Sequence, residues 1–317
     1  MFLGVILVLA GLMLLYYGAE YLVTGSSRLA LSFGVRPLVV GLTVVAFATS
    51  MPELMVSLFA TTRGASSMAA GNIIGSNIAN IGLILGVAAL ITPIVVTRST
   101  LVREVPIMVV ASLLVYFMAL DGEIAFMNGL GLFLSLLVFL VYCLMTARNT
   151  SIPVDGEVGK IIADTSAGRG RNMFLVLIGM VGLGLGAELM VRGAVIVATL
   201  LGVSELIIGL SIVAVGTSLP ELAASVMSAW KGEMDISVGN VLGSNIFNVL
   251  FVLGICPMIR PIVIEPRVLS LDFPIMLGFC ALLVGLLTMM SPRLQLDRKR
   301  GVLLLGAYLL FVVSLFQ

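Results

Sequence analysis

Two glutamates lie inside long apolar segments, and each directly follows a proline. Glu53 ends the run Thr-Ser-Met-Pro-Glu, and Glu221 ends the run Thr-Ser-Leu-Pro-Glu. Because proline lacks an N–H and its ring clashes with the carbonyl four residues earlier, each run predicts a broken helix that frees backbone oxygens beside a carboxylate. Carboxylate, hydroxyl and carbonyl oxygens form a hard ligand set that suits Ca²⁺ or Na⁺. We therefore interpret both glutamates as cation ligands.

A second polar motif follows each proline break. It reads GNIIGSNIAN in the first copy and GNVLGSNIFN in the second. Residues four apart share a helix face, so Ser76 stacks with Asn80, and Ser244 stacks with Asn248. These side chains add neutral oxygens, whereas the glycines favour close helix packing. Two neighbouring asparagines allow either a ligand role or contacts between helices: Asn77 and Asn245.

The two copies of each motif belong to a duplication with a constant offset of 168 residues (221 minus 53). The same offset aligns Gly18-Ala19-Glu20 with Gly186-Ala187-Glu188, and Pro106 with Pro274. The two glutamates of this alignment lie nearer to helix ends, so structural ion pairing and a functional role stay open for both. A duplicated, interrupted apolar segment is typical of the central site of a transporter.

The composition excludes several classes of protein. Hydrophobic residues make up 60% of the chain and charged residues 10%, with a mean hydropathy of +1.22, which is too apolar for a soluble domain. The sequence contains no His, which excludes imidazole metal sites and Ser-His catalysis. A net charge of +1 without a basic patch gives no reason to expect nucleic acid as a partner. The three cysteines have unrelated spacings and predict neither a disulfide framework nor a metal knuckle: Cys143, Cys256 and Cys280.

Ten apolar segments are long enough to cross a membrane. Each holds about 20 residues, which is the length that spans the hydrocarbon core as a helix. The sequence therefore predicts an all-α membrane protein with ten transmembrane helices in two five-helix repeats, residues 1–147 and 172–317, joined by a polar linker over 148–171. The segments lie near residues 3–25, 37–62, 68–91, 104–120, 125–147, 172–199, 205–229, 236–258, 268–290 and 300–316.

Basic residues are spread unevenly over the loops, and this predicts the orientation. Because five is an odd number, the second repeat must enter the membrane from the opposite side, so the repeats are expected to be inverted. The loop at residues 121–129 has no Lys or Arg, whereas its counterpart at 291–300 has several. The positive-inside rule then places the base-rich loops and the linker in the cytoplasm and both termini outside the cell membrane.

The paired Thr-Ser-x-Pro-Glu and Gly-Ser-Asn-Ile-x-Asn motifs resemble those of the cation/Ca²⁺ exchanger superfamily, and specifically the prokaryotic Na⁺/Ca²⁺ exchangers. The resemblance covers nearly the whole chain. It implies ten helices in two inverted repeats, ions held between helices 2, 3, 7 and 8, and helices 1 and 6 that move as a gate.

The resemblance also implies a role for each residue of the motifs. Ca²⁺ is expected to bind the two carboxylates and two backbone carbonyls: Glu53, Glu221, Thr49 and Thr217. Na⁺ is expected to share the carboxylates and to use further oxygens, with two asparagines completing the centre: Ala46, Ser50, Ser76, Asn80, Ala214, Ser218, Ser244 and Asn248. Two positions depart from the pattern. Ala48 replaces a glycine, and Asn248 stands where some relatives, including K⁺-dependent ones, have Asp.

These observations predict a secondary antiporter that exchanges Na⁺ for Ca²⁺ by alternating access, with no cofactor. Its expected partners are the two ions and the lipid bilayer, and no obligate protein partner is evident. An antiporter of H⁺ and Ca²⁺, or of another divalent cation, is the alternative, because a buried carboxylate can carry protons. A passive cation channel is a further alternative of a different class. We expect no enzyme, since the chain has no His and no Lys near either motif.

Overall fold

The part of the protein that the structure describes is mostly helical. The structure, a computed structural model, describes residues 1–149, 168–202, 214–289 and 294–315. The described helices of the first repeat are α1 (Phe2–Phe33), α2 (Pro37–Thr49), α3 (Met51–Thr62), α4 (Met68–Ile91), α5 (Arg98–Met118) and α6 (Phe126–Asn149). Those of the second repeat are α7 (Arg169–Leu200), α8 (Ala214–Thr217), α9 (Leu219–Trp230), α10 (Met234–Ile259), α11 (Val268–Thr288) and α12 (Arg298–Ser314).

Seven of these helices are long and apolar enough to cross a membrane, and the bent pair α2–α3 makes an eighth candidate. The remaining two of the ten predicted spans are not tested in this way. Part of the segment predicted at 205–229 lies outside the described residues, and α12 holds 17 residues. The structure therefore confirms a helical, multi-pass membrane protein.

The predicted helix ends were less accurate than the helices themselves. The helix predicted to end near residue 25 runs to Phe33, and the helix predicted to start near residue 104 belongs to a span that starts at Arg98. The linker predicted over 148–171 is helical at both ends, since α6 ends at Asn149 and α7 begins at Arg169; the residues between 149 and 168 lie outside the described part. Hydropathy marks only the apolar part of a helix, whereas backbone hydrogen bonding continues into the polar interface.

Local sequence signals fix several of the helix ends. Gly34 ends α1 with a φ of 65°, in the left-handed region that glycine favours. The Thr97 hydroxyl accepts the N–H of Thr100 at the start of α5, at 3.2 Å. The Asp297 carboxylate accepts the N–H of Arg300 at the start of α12, at 3.0 Å. Both are ordinary N-terminal caps.

Among the described residues, two short antiparallel ladders join the repeats. Strand β1 (Ile94–Val95) lies before α5 and pairs with β4 (Gln295–Leu296). Strand β2 (Glu123–Ile124) lies after α5 and pairs with β3 (Ile262–Val263). Because a membrane-length helix separates β1 from β2, the two ladders lie at opposite ends of α5.

Helices α1 and α7 pack closely against each other along glycines spaced seven residues apart. Gly11 of α1 faces Gly186 of α7, and Gly18 faces Gly179. Because the residue number rises along α1 as it falls along α7, the two helices run antiparallel. A Cβ on Gly11 would lie 2.7 Å from the Gly186 carbonyl oxygen, and a Cβ on Gly179 would lie 2.7 Å from that of Gly18. Small residues allow such backbone contact inside a membrane. We name this contact the glycine seam; the sequence analysis did not predict it.

Apolar side chains cover the outer surface, while polar side chains occupy the interior. Met127 and Leu310 are 74% and 73% exposed, whereas Glu53, Glu221 and Asn80 are fully buried. Exposed apolar side chains are unfavourable in contact with water. Buried charged and polar side chains are unfavourable in an apolar core. This distribution fits a lipid-facing exterior around a polar centre.

Candidate cation site

The predicted proline breaks are present in both repeats. Helix α2 ends at Thr49, and α3 resumes at Met51 after a bend of 42°. At the junction Ser50 has φ −80° and ψ 1°, and at the equivalent junction Ser218 has φ −86° and ψ 4°. The Ser50 carbonyl accepts the N–H of Leu54 at 3.1 Å, so the helix continues directly past the break. In the second repeat the Ser218 carbonyl likewise accepts the N–H of Leu222 at 3.0 Å, so helical hydrogen bonding resumes directly after both breaks.

Both glutamates lie fully buried, one turn past the start of the bend. The Ser76 hydroxyl donates to Glu53 Oε1 at 3.4 Å. Glu53 Oε2 and both carboxylate oxygens of Glu221 have no hydrogen-bond partner among the described residues. The ion pairs in that part of the chain join other residues, so no Lys or Arg balances either carboxylate. A buried carboxylate without such a partner requires a bound cation or a proton.

The two repeats meet through hydroxyl groups of the predicted site. The Ser218 hydroxyl donates to the Ser76 hydroxyl oxygen at 3.3 Å, and Ser76 in turn donates to Glu53. On the other side, the hydroxyl oxygens of Thr49 and Ser244 are 3.2 Å apart. The proline break of each repeat therefore contacts the serine of the Gly-Ser-Asn-Ile-x-Asn motif in the opposite repeat. Helical periodicity gives the shared face of these residues but not this crossed pairing.

Two asparagines that the sequence analysis missed connect the breaks. The Asn72 amide donates to the Glu53 carbonyl at 3.4 Å and to the Ser57 hydroxyl at 3.0 Å. Its oxygen accepts from the Thr217 hydroxyl at 3.4 Å. Asn72 and its counterpart Asn240 each follow the first glycine of the second motif. Their recurrence at the same offset of 168 residues was the signal that could have identified them.

Asn240 makes the equivalent contacts in the second repeat. Its amide donates to the Glu221 carbonyl at 3.3 Å and to the Ser225 hydroxyl at 2.9 Å. Its oxygen accepts from the Thr49 hydroxyl at 3.0 Å. Each of the two asparagines therefore ties the glutamate backbone of one repeat to the threonine of the other.

Asn80 and Asn248 are fully buried, and each begins a wide π-helical turn, Asn80–Ile84 and Asn248–Val252. The Asn80 amide donates to Asn245 Oδ1 at 2.9 Å, and the Asn248 amide donates to Asn77 Oδ1 at 3.1 Å. Asn77 and Asn245 thus make contacts between helices, one of the two roles left open by their sequence position. Such turns widen a helix locally and often occur at functional sites.

Six buried side-chain oxygens of this centre lack hydrogen-bond partners among the described residues. The six atoms are Ser50 Oγ, Glu53 Oε2, Asn80 Oδ1, Glu221 Oε1, Glu221 Oε2 and Asn248 Oδ1. All of them belong to residues of the predicted ligand set. The described residues contain no group of three or more His, Cys, Asp and Glu, so the negative charge here comes from two carboxylates. Unpartnered acceptors of this kind fit a hard cation.

The remaining predicted ligands are backbone carbonyls. The Ala46 carbonyl accepts the N–H of Ser50 at 2.9 Å, and the Thr49 hydroxyl oxygen lies 3.3 Å from it. Ala214 begins α8 and precedes the second break by one turn, as Ala46 precedes the first.

The aligned glutamates outside the motifs form ion pairs in the middle of their helices, so the prediction that they lie nearer to helix ends is wrong: Glu20 lies within Phe2–Phe33 and Glu188 within Arg169–Leu200. Glu188 pairs with Arg192 one turn along α7, and both side chains are more than half exposed. Glu20 pairs with Lys231 at 3.4 Å, and this lysine also donates to the Thr24 hydroxyl at 2.7 Å. The structure therefore gives both glutamates an ion-pair partner outside the buried centre.

A multi-pass helical protein with a buried, acidic, oxygen-rich centre belongs to the class of membrane proteins that bind cations within the bilayer. A family model described as sodium/calcium exchanger protein matches residues 3–145 and 171–317. The chain therefore belongs to the sodium/calcium exchanger family, a family of transporters rather than enzymes.

Similarity to individual proteins extends over the full length. The chain is 36% identical over 319 residues to the inner membrane protein YrbG of Escherichia coli, covering 100% of this chain and 98% of that protein. It is 32% identical over 345 residues to the sodium/calcium exchanger MaX1 of Methanosarcina acetivorans, covering 98% of each. A solved structure of the sodium-calcium exchanger NCX_Mj is similar with a TM-score of 0.85 at 33% identity, covering 99% of each chain.

Proposed function

We propose that this protein exchanges Na⁺ for Ca²⁺ across the membrane, and that both ions use the one buried site. The observation that carries this proposal is the pair of fully buried carboxylates that have no basic partner among the described residues, together with the unpartnered oxygens of the same predicted ligand set. Two such charges are costly in a membrane unless cations neutralise them. Without a bound cation, the protein therefore resists the conformational change that moves access to the site from one side of the membrane to the other. With cations bound, the site can become accessible from the other side.

The proposed ligands are those expected from the sequence. Ca²⁺ takes oxygens from Glu53 and Glu221 and from the carbonyls of Thr49 and Thr217. Na⁺ shares the carboxylates and adds oxygens from Ala46, Ser50, Ser76, Ala214, Ser218 and Ser244, with Asn80 and Asn248 at the centre. Because the two ions need the same carboxylates, one must leave before the other binds. This competition couples the two fluxes.

Competition between the ions can be measured directly. We expect Ca²⁺ binding to the purified protein in detergent, followed by isothermal titration calorimetry, to weaken as NaCl replaces choline chloride at constant ionic strength. Constant ionic strength removes the general screening effect of salt. An apparent Ca²⁺ affinity that does not depend on Na⁺ would contradict a shared site.

We further propose that the protein has ten transmembrane helices in two inverted five-helix repeats. Strands β1 and β3 occupy equivalent positions in the duplication, yet they belong to ladders at opposite ends of α5. Helices α1 and α7 are also equivalent, and they run antiparallel along the glycine seam. Both observations support inversion. With the loop charges, we place both termini outside the cell membrane and the linker over 148–171 in the cytoplasm.

Cysteine labelling tests this orientation. In a variant without Cys143, Cys256 and Cys280, we expect Asp121→Cys to react with a membrane-impermeant maleimide in intact cells. Lys299→Cys is expected to react only after the membrane is permeabilised, because the two loops are predicted to face opposite sides. Labelling of both positions from the same side would rule out the inverted arrangement.

Transport is expected to be independent of K⁺. The buried side chain of Asn248 contributes one neutral carbonyl oxygen, where an Asp would contribute a charge and two oxygens. A large, weakly held ion such as K⁺ needs that extra charge to compete with water. We expect Na⁺-driven ⁴⁵Ca²⁺ uptake to keep its rate when choline replaces K⁺ on both sides of proteoliposomes. A collapse of uptake without K⁺ would show that the argument from Asn248 is wrong.

An exchanger of H⁺ for Ca²⁺ is the second candidate function. It is favoured by the same carboxylates, because protons could neutralise them where cations do not. The neutral hydroxyl and amide oxygens around them favour Na⁺, since a proton needs no such cage.

A further inference from the structure

The side-chain amides of the centre have an orientation that their neighbours dictate. The Asn77 amide nitrogen lies 3.3 Å from the Asn245 backbone carbonyl and 3.8 Å from Met276 Sδ. A carbonyl and a thioether can only accept a hydrogen bond, so this end of Asn77 must be its NH₂ group. Its other end is the oxygen, and that oxygen accepts from Asn248 at 3.1 Å. Asn248 must therefore donate its own NH₂ group here, and its oxygen is the end left without a partner.

The second repeat supplies the mirror image of this chain of contacts. The Asn245 amide nitrogen lies 3.4 Å from Met108 Sδ, and its oxygen accepts from Asn80 at 2.9 Å. Asn80 Oδ1 is then the unpartnered end. Met108 and Met276 are equivalent in the duplication, being 168 residues apart. All six residues are at most 1% exposed, so water does not compete for these contacts.

We propose that Asn77 and Asn245 are positioning residues that turn the oxygens, rather than the NH₂ groups, of Asn248 and Asn80 toward the cation. The Met276 sulfur accepts a hydrogen bond from Asn77, and the Met108 sulfur accepts one from Asn245, so the two methionines help to orient the positioning residues. This inference rests on the proposed function. An amide reversed by half a turn would present NH₂ hydrogens to a cation and repel it. The contacts fix this choice, whereas the side chains of Asn80 and Asn248 alone allow both orientations.

Asn77→Leu tests this role, because it keeps the volume and removes the acceptor that holds Asn248. We expect the Ca²⁺ KM for Na⁺-driven uptake into proteoliposomes to rise by about 10- to 100-fold, as for other partners of metal ligands, with a maximal rate within about twofold of the original. Asn248→Ala is expected to raise KM as well. In that background Asn77→Leu should have no further effect, because no amide is left to turn. A KM that Asn77→Leu leaves unchanged, or raises equally in both backgrounds, would overturn the proposal.

The two methionines provide a matched pair. Met108→Leu is expected to raise the Ca²⁺ KM more than Met276→Leu, because the Asn77 NH₂ group keeps the Asn245 carbonyl when Met276 is lost. A larger effect of Met276→Leu would contradict the proposed contacts. If Asn77→Leu does not elute as a folded protein in gel filtration, this pair decides the question.

The original protein serves as the reference in every assay. If it shows no Na⁺-driven Ca²⁺ uptake, the proposed function fails, and the positioning role fails with it. If it transports Ca²⁺ and neither Asn77→Leu nor Met108→Leu changes KM, only the positioning role fails.

Discussion

Glu221→Gln is expected to abolish Ca²⁺ uptake by a protein that still folds. Gln keeps the shape of the side chain but removes the charge and replaces one oxygen by an NH₂ group. Neither carboxylate oxygen of Glu221 has a hydrogen-bond partner in the described structure, so both are available to a cation. The change removes one of the two charged ligands of a hard-cation site, which is a large loss of affinity for Ca²⁺. The measurement is the initial rate of ⁴⁵Ca²⁺ uptake into Na⁺-loaded proteoliposomes.

Glu53→Gln should give the same loss, since this residue occupies the equivalent position in the first repeat. Glu188→Gln is the matched control, because that glutamate is paired with Arg192 on an exposed part of α7. We expect the control to retain uptake within about twofold, because exposed ion pairs contribute about 0–1 kcal/mol. Gel filtration shows whether each variant is folded. Uptake at the original rate by either Glu53→Gln or Glu221→Gln would refute the assigned site.

Gly179→Val is expected to destabilise the protein strongly although the residue lies outside the site. A Cβ at this position would lie 2.5 Å from the Leu22 backbone nitrogen and 2.7 Å from the Gly18 carbonyl oxygen. Backbone atoms of α1 cannot turn aside as a side chain can, so the whole seam must open. Overpacking of this kind costs about 1–3 kcal/mol or more. We expect a lower Tm in detergent and a smaller yield of monodisperse protein.

Gly184→Val is the control for this prediction. It lies on the same helix, and apart from its chain neighbours and the adjacent backbone of α7 no described atom lies within 4 Å of a Cβ built there. Both variants replace Gly by Val in the same helix, so the change in helix propensity is the same. The difference between their Tm values therefore reports the contact with α1. Equal Tm values for the two variants would show that the glycine seam does not contribute to stability.

The sequence was sufficient for the features that depend on local rules. A proline directly before a glutamate in an apolar segment predicts a break and a buried charge, and the structure contains both at Pro52 and Pro220. The duplication then supplied each feature twice. The ends of the helices were less predictable, because hydropathy does not register the helical turns that extend α1 to Phe33.

Features that depend on contacts between repeats could not be predicted from the sequence. Thr49 and Asn240 are 191 residues apart, and nothing in either motif indicates that they bond. Asn72 and Asn240 were therefore missed, although their repetition was visible. The glycine seam was missed for a similar reason. A spacing of seven residues in one helix shows a face of small residues but does not identify the helix that packs against it.

The most direct test of the account is whether a Na⁺ gradient drives Ca²⁺ movement. Proteoliposomes loaded with Na⁺ are diluted into ⁴⁵Ca²⁺ solutions containing choline or equal Na⁺, with and without a pH gradient. Na⁺/Ca²⁺ exchange predicts uptake that requires the outward Na⁺ gradient, disappears when Na⁺ is equal on both sides, and is not restored by a pH gradient. Uptake that follows the pH gradient and ignores Na⁺ would contradict Na⁺/Ca²⁺ exchange.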